Sequence, residues 1–229
     1  ASPQRDGDAV TGYDYLVYGD YVSSGIPLDV FTEFFGGNSP QDLDRTGDSE
    51  GIPYAFNVID KDGVKFVAPS CLTCHAERLR GDLVIGLGNN SSDFTQNQGT
   101  AFYAADGLVR DRYGEDSPQW RGYLPVSRAY KAMAPYIVTQ TPGVNPADKI
   151  FAVLSAHRDP VTLAWLDEPL YELPTAVVPT DVPPWWVMKK KHALYYNGLG
   201  RGDFGRLSSA SGLLSMAGID DAAAADAQF

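Results

Sequence analysis

Residues 71 to 75 read Cys-Leu-Thr-Cys-His, and Cys71 and Cys74 are the only two cysteines in a chain of 229 residues. The C-x-x-C-H spacing is the attachment signature of c-type haem. On one helical turn the two sulfurs can each add to a vinyl group of the same porphyrin. His75 follows at once, where its imidazole can serve as the proximal iron ligand. Other chemistries fit these residues less well. A thioredoxin-like dithiol needs a small βαβ domain around it, and the segments here do not alternate that way. A zinc site needs four ligands, and the remaining histidines, His157 and His192, lie far off without a second paired spacing. A disulfide across two residues closes too short a loop to stabilise much. The reading is therefore one covalent haem c, bound by Cys71 and Cys74, with His75 on the iron.

A haem iron that only carries electrons usually has a second strong axial ligand, often Met or His. The candidates are Met133, Met188, Met216, His157 and His192. Met188 and His192 stand at i and i+4 on a helix predicted over 185–196, so either could face the iron. His157 closes another predicted helix, where its cationic form would suit the C-terminal dipole. Each methionine also has an ordinary use as core filler, and the sixth ligand stays open among the five. If none of them binds, the iron keeps a position for dioxygen or peroxide, which is the physical fork between carrier and enzyme.

The elements that must position these groups read as mainly α, a cytochrome c-like haem domain with long loops and one β-hairpin before the motif. Residues 1–12 are polar and read as a flexible N-terminus, with a single haem domain and its extensions over 13–229. Two short helical pieces are expected within 13–35. Residues 38–51 carry Asp42, Asp44, Asp48 and Glu50 among Gly and Pro, and read as a solvated acidic loop rather than a calcium site. Residues 54–59 and 64–67 alternate around Asp60-Lys-Asp-Gly63, a hairpin signal. A short helix is predicted over 71–80, stopping at Gly81. Further helices are predicted over 126–139, over 146–156 with Asn145 as N-cap, over 185–196, and from about Leu207. Prolines 169, 174, 179, 183 and 184 make an extended strap.

Charge and hydropathy limit the partners. The chain holds 18 Lys and Arg against 29 Asp and Glu, a formal charge of −11. An acidic surface argues against nucleic acid and suits a basic redox partner. No apolar run approaches the roughly 18 residues of a membrane span. The start at Ala1-Ser2-Pro3 reads as a mature N-terminus left after processing, and haem c is attached outside the bacterial cytoplasm. A periplasmic or secreted protein is expected. Lys189, Lys190 and Lys191 are a local basic cluster, suited to a solvated face, to haem propionates or to docking a partner.

Three stretches together, Pro69-Ser-Cys-Leu-Thr-Cys-His75, His157-Arg-Asp-Pro-Val-Thr-Leu-Ala-Trp165 and Pro183-Pro-Trp-Trp-Val-Met-Lys-Lys-Lys191, resemble a family of exported di-haem cytochromes. It is the group related to the di-haem rubber oxygenases and, more distantly, to bacterial di-haem cytochrome c peroxidases. The resemblance runs from about Tyr13 onward and covers the first haem region only. It implies His75 as proximal ligand and Trp186 as an inter-haem tryptophan, a candidate electron relay. It also implies a second haem domain or subunit, of which this sequence shows no second C-x-x-C-H; the end at Asp221-Asp-Ala-Ala-Ala-Ala-Asp-Ala-Gln-Phe229 reads as an unfinished helix. Three functions follow: electron transfer within a larger redox assembly, the active-site half of a di-haem oxygenase or peroxidase, or a haem-bearing structural or sensing module.

Overall fold

The computed structural model describes residues 3–36 and 39–229, so the Asn38 end of the predicted acidic loop lies outside it. Helix α1, Ala9–Tyr18, starts where the Asp8 carboxylate accepts from the Thr11 N–H at 2.7 Å, a side-chain N-cap. It begins inside the segment expected to be a flexible tail. That segment is also tied down upstream, because Arg5 pairs with Asp203 and Asp226 and Gln4 bonds to Gly202 and Phe204.

Strand β1, Ile26–Pro27, leads directly into helix α2, Leu28–Phe34. Strands β2, Phe56–Lys61, and β3, Val64–Pro69, form the expected hairpin around Asp62 and Gly63. Both turn residues have positive φ, the geometry that a two-residue hairpin loop demands. The sheet order is β1-β3-β2, all antiparallel. The central strand β3 is buried from Phe66 to Pro69 and delivers the chain to Cys71.

After the motif the chain leaves the expected helix within one turn. Helix α3 is one turn, Leu72–His75, and not a helix to residue 80. A second hairpin takes over: β4, Ala76–Leu79, and β5, Asp82–Ile85. Its turn is Arg80-Gly81, both at positive φ. Glycine adopts that region freely and arginine rarely does, so the residue pair signals a helix stop more readily than a hairpin.

Helix α4, Gly99–Tyr113, is also unforeseen, and helix α5, Pro118–Met133, starts eight residues before its predicted 126. Ser117 caps α5 by accepting from the Trp120 N–H. Pro125 interrupts the α5 ladder, and Ser24, fully buried, repairs it. Its hydroxyl donates to the Gly122 carbonyl at 2.6 Å and accepts from the Val126 N–H at 3.0 Å. The two helices are also joined at Asp106, which accepts from Tyr123, Ser127 and Lys131.

Helix α6, Ala147–Ala156, matches its prediction, but Pro146 is its N-cap residue and Asn145 is used elsewhere. Residues 166–184 form the extended strap. A 3-10 turn, Trp185–Lys190, replaces the helix predicted to residue 196. Helices α7, Phe204–Ser208, and α8, Ile219–Gln228, close the chain.

Two apolar cores share α5. One packs Ile26, Phe31, Val67, Val109, Tyr123 and Val126; the other packs Phe94, Met133, Ile137, Val153 and Leu154. With 42% helix and 12% strand, the fold is mixed α and β, and the expectation of a mainly α chain is corrected. The β content is two local hairpins with β1 added to the edge of the first, and that three-stranded sheet leads into the motif. Among the described residues no helix is long and apolar enough to cross a membrane.

The strap lies against the loop after β5. A Cβ on Gly88 would overlap the Val182 carbonyl oxygen, so Gly88→Ala must push the strap away. Such overpacking costs about 1–3 kcal/mol. Denaturant titration should show that loss, whereas Gly107→Ala, in α4 with open space around it, should gain about 0.5–1 kcal/mol of helix propensity.

Candidate functional site

The motif turn is held from three sides. Ser70 precedes it, donating its backbone N–H to Ala55 and its hydroxyl to Tyr54, and accepting from the Leu72 N–H. The Thr73 hydroxyl donates to the Ala55 carbonyl at 2.7 Å. Asn89 clasps the far side: its backbone N–H donates to the Cys74 carbonyl at 2.9 Å, and its side-chain amide to the Thr73 carbonyl at 3.0 Å. The His75 carbonyl accepts from Gly86 at 2.7 Å, which joins the turn to the second hairpin. Leu72 and Ala76 are fully buried and root the turn in the core.

Cys71, Cys74 and His75 are each partly buried, and both thiols are free. Cys71 packs beside Tyr21, Ile59 and Phe66, and its N–H donates to the Tyr21 hydroxyl at 3.2 Å. Burial pushes its thiol up to about 11. Cys74 accepts a hydrogen bond from Asn145 Nδ2 at 3.4 Å. Burial raises this thiol as well, and the Asn145 bond opposes the rise. Burial, and after it the charge of an ionised Cys74, raises the phenols of Tyr130 and Tyr195.

The His75 imidazole lies against the Trp185 indole, with ring centroids 5.1 Å apart and planes tilted by 33°. Its Nδ1 is buried without a hydrogen-bond partner. Burial lowers its pKa to about 4, so near neutrality the ring is uncharged and free to donate a lone pair, the form that binds metals. Asn145, whose amide nitrogen reaches Cys74, also has its Oδ1 buried without a partner. A buried polar atom without a partner costs about 1–3 kcal/mol, and both of these lie at the motif.

The structure separates the five sixth-ligand candidates. Met133 is 1% exposed and packs in the second core; Met216 is buried, with its carbonyl bonded to Arg158. His157 is buried, donates from Nδ1 to the Leu166 carbonyl at 2.8 Å, and stacks on Trp165 at 4.9 Å. All three have structural work. Met188 lies partly buried in the 3-10 turn, and His192 is exposed beyond it. The helical face expected to align Met188 with His192 does not form, because the turn ends at Lys190.

The tryptophan pair is resolved differently from the sequence reading. Trp185 reaches His75, while Trp186 is 53% exposed. In a 3-10 turn neighbouring residues point about 120° apart, so only one of two adjacent indoles can face inward. Trp185, Asn145 and Tyr21 are residues at the motif that sequence reasoning did not assign to it. The Gly86-x-Gly88 pair before the strap was the available signal for Trp185, since Gly86 accepts from the Trp185 N–H at 2.8 Å.

The stretch His157 to Trp165 turns out to be a structural corner. Asp159 accepts from the N–H groups of Val161 and Thr162. Arg158, 3% exposed, donates to the carbonyls of Leu163, Leu213 and Met216. Burial lowers its pKa to about 10, well above neutrality, so it stays charged. A cavity of about 660 Å³ opens elsewhere, between α2, the first hairpin turn and Tyr113, and no motif residue lines it. Among the described residues no three His, Cys, Asp or Glu side chains converge on a shared ion. No family model, curated protein or solved structure matches this chain.

Proposed function

We propose that the chain is an exported c-type cytochrome carrying one covalent haem, which transfers electrons within a larger redox assembly. One observation carries the reading. Both cysteines are unpaired and partly buried on a single helical turn, directly followed by an uncharged imidazole with an unpaired buried nitrogen. A zinc site needs its donors to converge. Haem c does not, because the thiols meet the edge of the porphyrin and the histidine its centre. When bound, the haem supplies an iron that exchanges one electron or, with an open position, takes a small ligand.

The chain's own residues have distinct tasks in this reading. Cys71 and Cys74 hold the group covalently, and Asn145 orients the Cys74 sulfur. Asn89 and Thr73 fix the turn so that His75 is presented at one angle. Trp185 packs on the imidazole and keeps water from its face. Both thiols are protonated near neutrality because burial raises them.

A second reading is an active-site half of a di-haem oxygenase or peroxidase, in line with the family resemblance of the three stretches and a second haem domain or subunit as partner. It is favoured by the engagement of Met133, Met216 and His157 in structural contacts, which leaves only Met188 and His192 uncommitted. The visible spectrum of the reduced protein with and without carbon monoxide tests both. A low-spin spectrum that carbon monoxide does not move is expected for the carrier, with Met188→Ala converting it to one that does. A spectrum already sensitive to carbon monoxide would replace the first reading by the second, and a colourless protein from a host that matures cytochromes would remove both.

A further inference from the structure

We propose that Trp186 and Lys189, which share one side of the 3-10 turn, form with the exposed Lys190 and Lys191 that follow them a docking surface for the acidic face of a redox partner protein. The inference rests on the electron-transfer reading above and reverses one expectation from composition. A chain of charge −11 suits a basic partner, but the segment whose Trp185 packs on His75 carries the opposite sign.

Residues 182–202 contain no Asp or Glu, in a chain with 29 of them, and carry Lys189, Lys190, Lys191 and Arg201. The three lysines are exposed, and none has a carboxylate partner among the described residues. Arg78, Arg112, Lys131 and Arg206 each have a carboxylate partner, and no other three consecutive residues of the chain are all cationic. Three adjacent unpaired cations repel one another, so they gain from an anionic surface that approaches them.

The 3-10 period of three sets the geometry. Residues i and i+3 eclipse, so Trp185 and Met188 share one side and Trp186 and Lys189 another. The first side meets His75. The second presents an indole 53% exposed beside a lysine. A large exposed aromatic flanked by cations is the composition of an interface anchor, and charge complementarity around it selects an acidic face. A partner seated on Trp186 would be one peptide unit from the indole that touches the imidazole.

Salt dependence separates this patch from the charge of the whole chain. Raising ionic strength from about 0.01 M to about 0.15 M shortens the screening length from about 30 Å to about 8 Å. Repulsion from the overall −11 would make binding of an acidic probe stronger with salt, and attraction to the patch makes it weaker. The probes are a fluorescent glutamate-rich peptide carrying leucine, its lysine-rich counterpart, and phosphatidylglycerol vesicles, each titrated against the full chain. The glutamate-rich peptide should bind, weaken with salt, and lose about tenfold or more in affinity in the triple variant Lys189→Glu, Lys190→Glu, Lys191→Glu. Trp186→Ala should lose several-fold with its charges intact. Preference for the lysine-rich peptide, unchanged binding in the triple variant, or vesicle binding without peptide binding would each overturn the proposal. Absorbance of the same samples keeps the two readings apart. A coloured chain that ignores the acidic peptide loses the docking surface and keeps the cytochrome; a colourless chain that binds it loses electron exchange.

Discussion

Replacing Cys71 and Cys74 together by alanine should release every trace of pigment on acid–acetone extraction, whereas the unaltered chain should keep its colour and weigh one haem more than its sequence. The expectation follows from geometry and not only from the motif. Cys71 occupies the position before α3 and Cys74 its third residue, and neither thiol is spent on a disulfide. With no other cysteine in the chain, no third thiol can substitute. Each single variant should retain one thioether, so the colour stays covalent at reduced yield. His75→Ala should behave in the opposite way, keeping the pigment attached while its visible spectrum changes, because the imidazole supplies an iron bond and not a carbon–sulfur bond. Pigment that leaves the unaltered chain on extraction, or a His75→Ala spectrum identical to the original, would defeat the assignment. Asn145→Ala removes the amide donor to the Cys74 sulfur and should lower the covalent yield far less than either cysteine variant.

The largest loss of stability is expected at Arg158, well away from the motif. Its guanidinium is buried and donates to three backbone carbonyls, two of them in residues 213–216, and it also lies 5.2 Å from the Trp165 ring. Arg158→Ala leaves those carbonyls without donors and opens a space the length of the side chain. Hydrogen bonds to charged groups contribute about 1.5–3 kcal/mol and an orphaned buried acceptor costs a comparable amount. A loss of about 3–4 kcal/mol is expected, which for a chain of this size lowers Tm by roughly 10 °C. Thermal denaturation of Arg158→Ala beside Arg206→Ala makes the comparison, since Arg206 is exposed and its pair with Asp226 is the kind worth little. Equal melting of the two variants would show that the corner is not a clamp. The extraction behaviour of the pigment should be unchanged in Arg158→Ala below its melting temperature, because no Arg158 contact reaches the motif.

The first hairpin was legible because everything that makes it is local. Alternation over 54–67 and a two-residue turn at positive φ are both properties of neighbouring residues. The second hairpin has the same turn geometry, yet its strands are four residues each and Arg80 hides the turn. Helix α4 escaped for a different reason. Its inner face is Phe102, Ala105, Leu108, Val109 and Tyr113, a helical spacing that the interleaved Gly, Asp and Arg residues obscure. The 3-10 turn was read as a helix because its composition allows one. Docking of Trp185 on Gly86 and His75 fixes the start of the turn, and no window of sequence contains that contact.

By itself the sequence determined the chemistry available at residues 71–75, since two sulfurs and an imidazole within one turn are positioned by backbone geometry alone. It also determined the sign of the overall charge and the site of the hairpin that delivers the motif. Only the tertiary structure decided which of two adjacent tryptophans meets the histidine, and that Asn145 serves a sulfur instead of capping a helix. The tertiary structure also withdrew Met133, Met216 and His157 into structural contacts. Each of those outcomes depends on partners tens of residues away. A side chain's role there is set by which surfaces are brought together, and identical neighbours such as Trp185 and Trp186 are distinguished by nothing else.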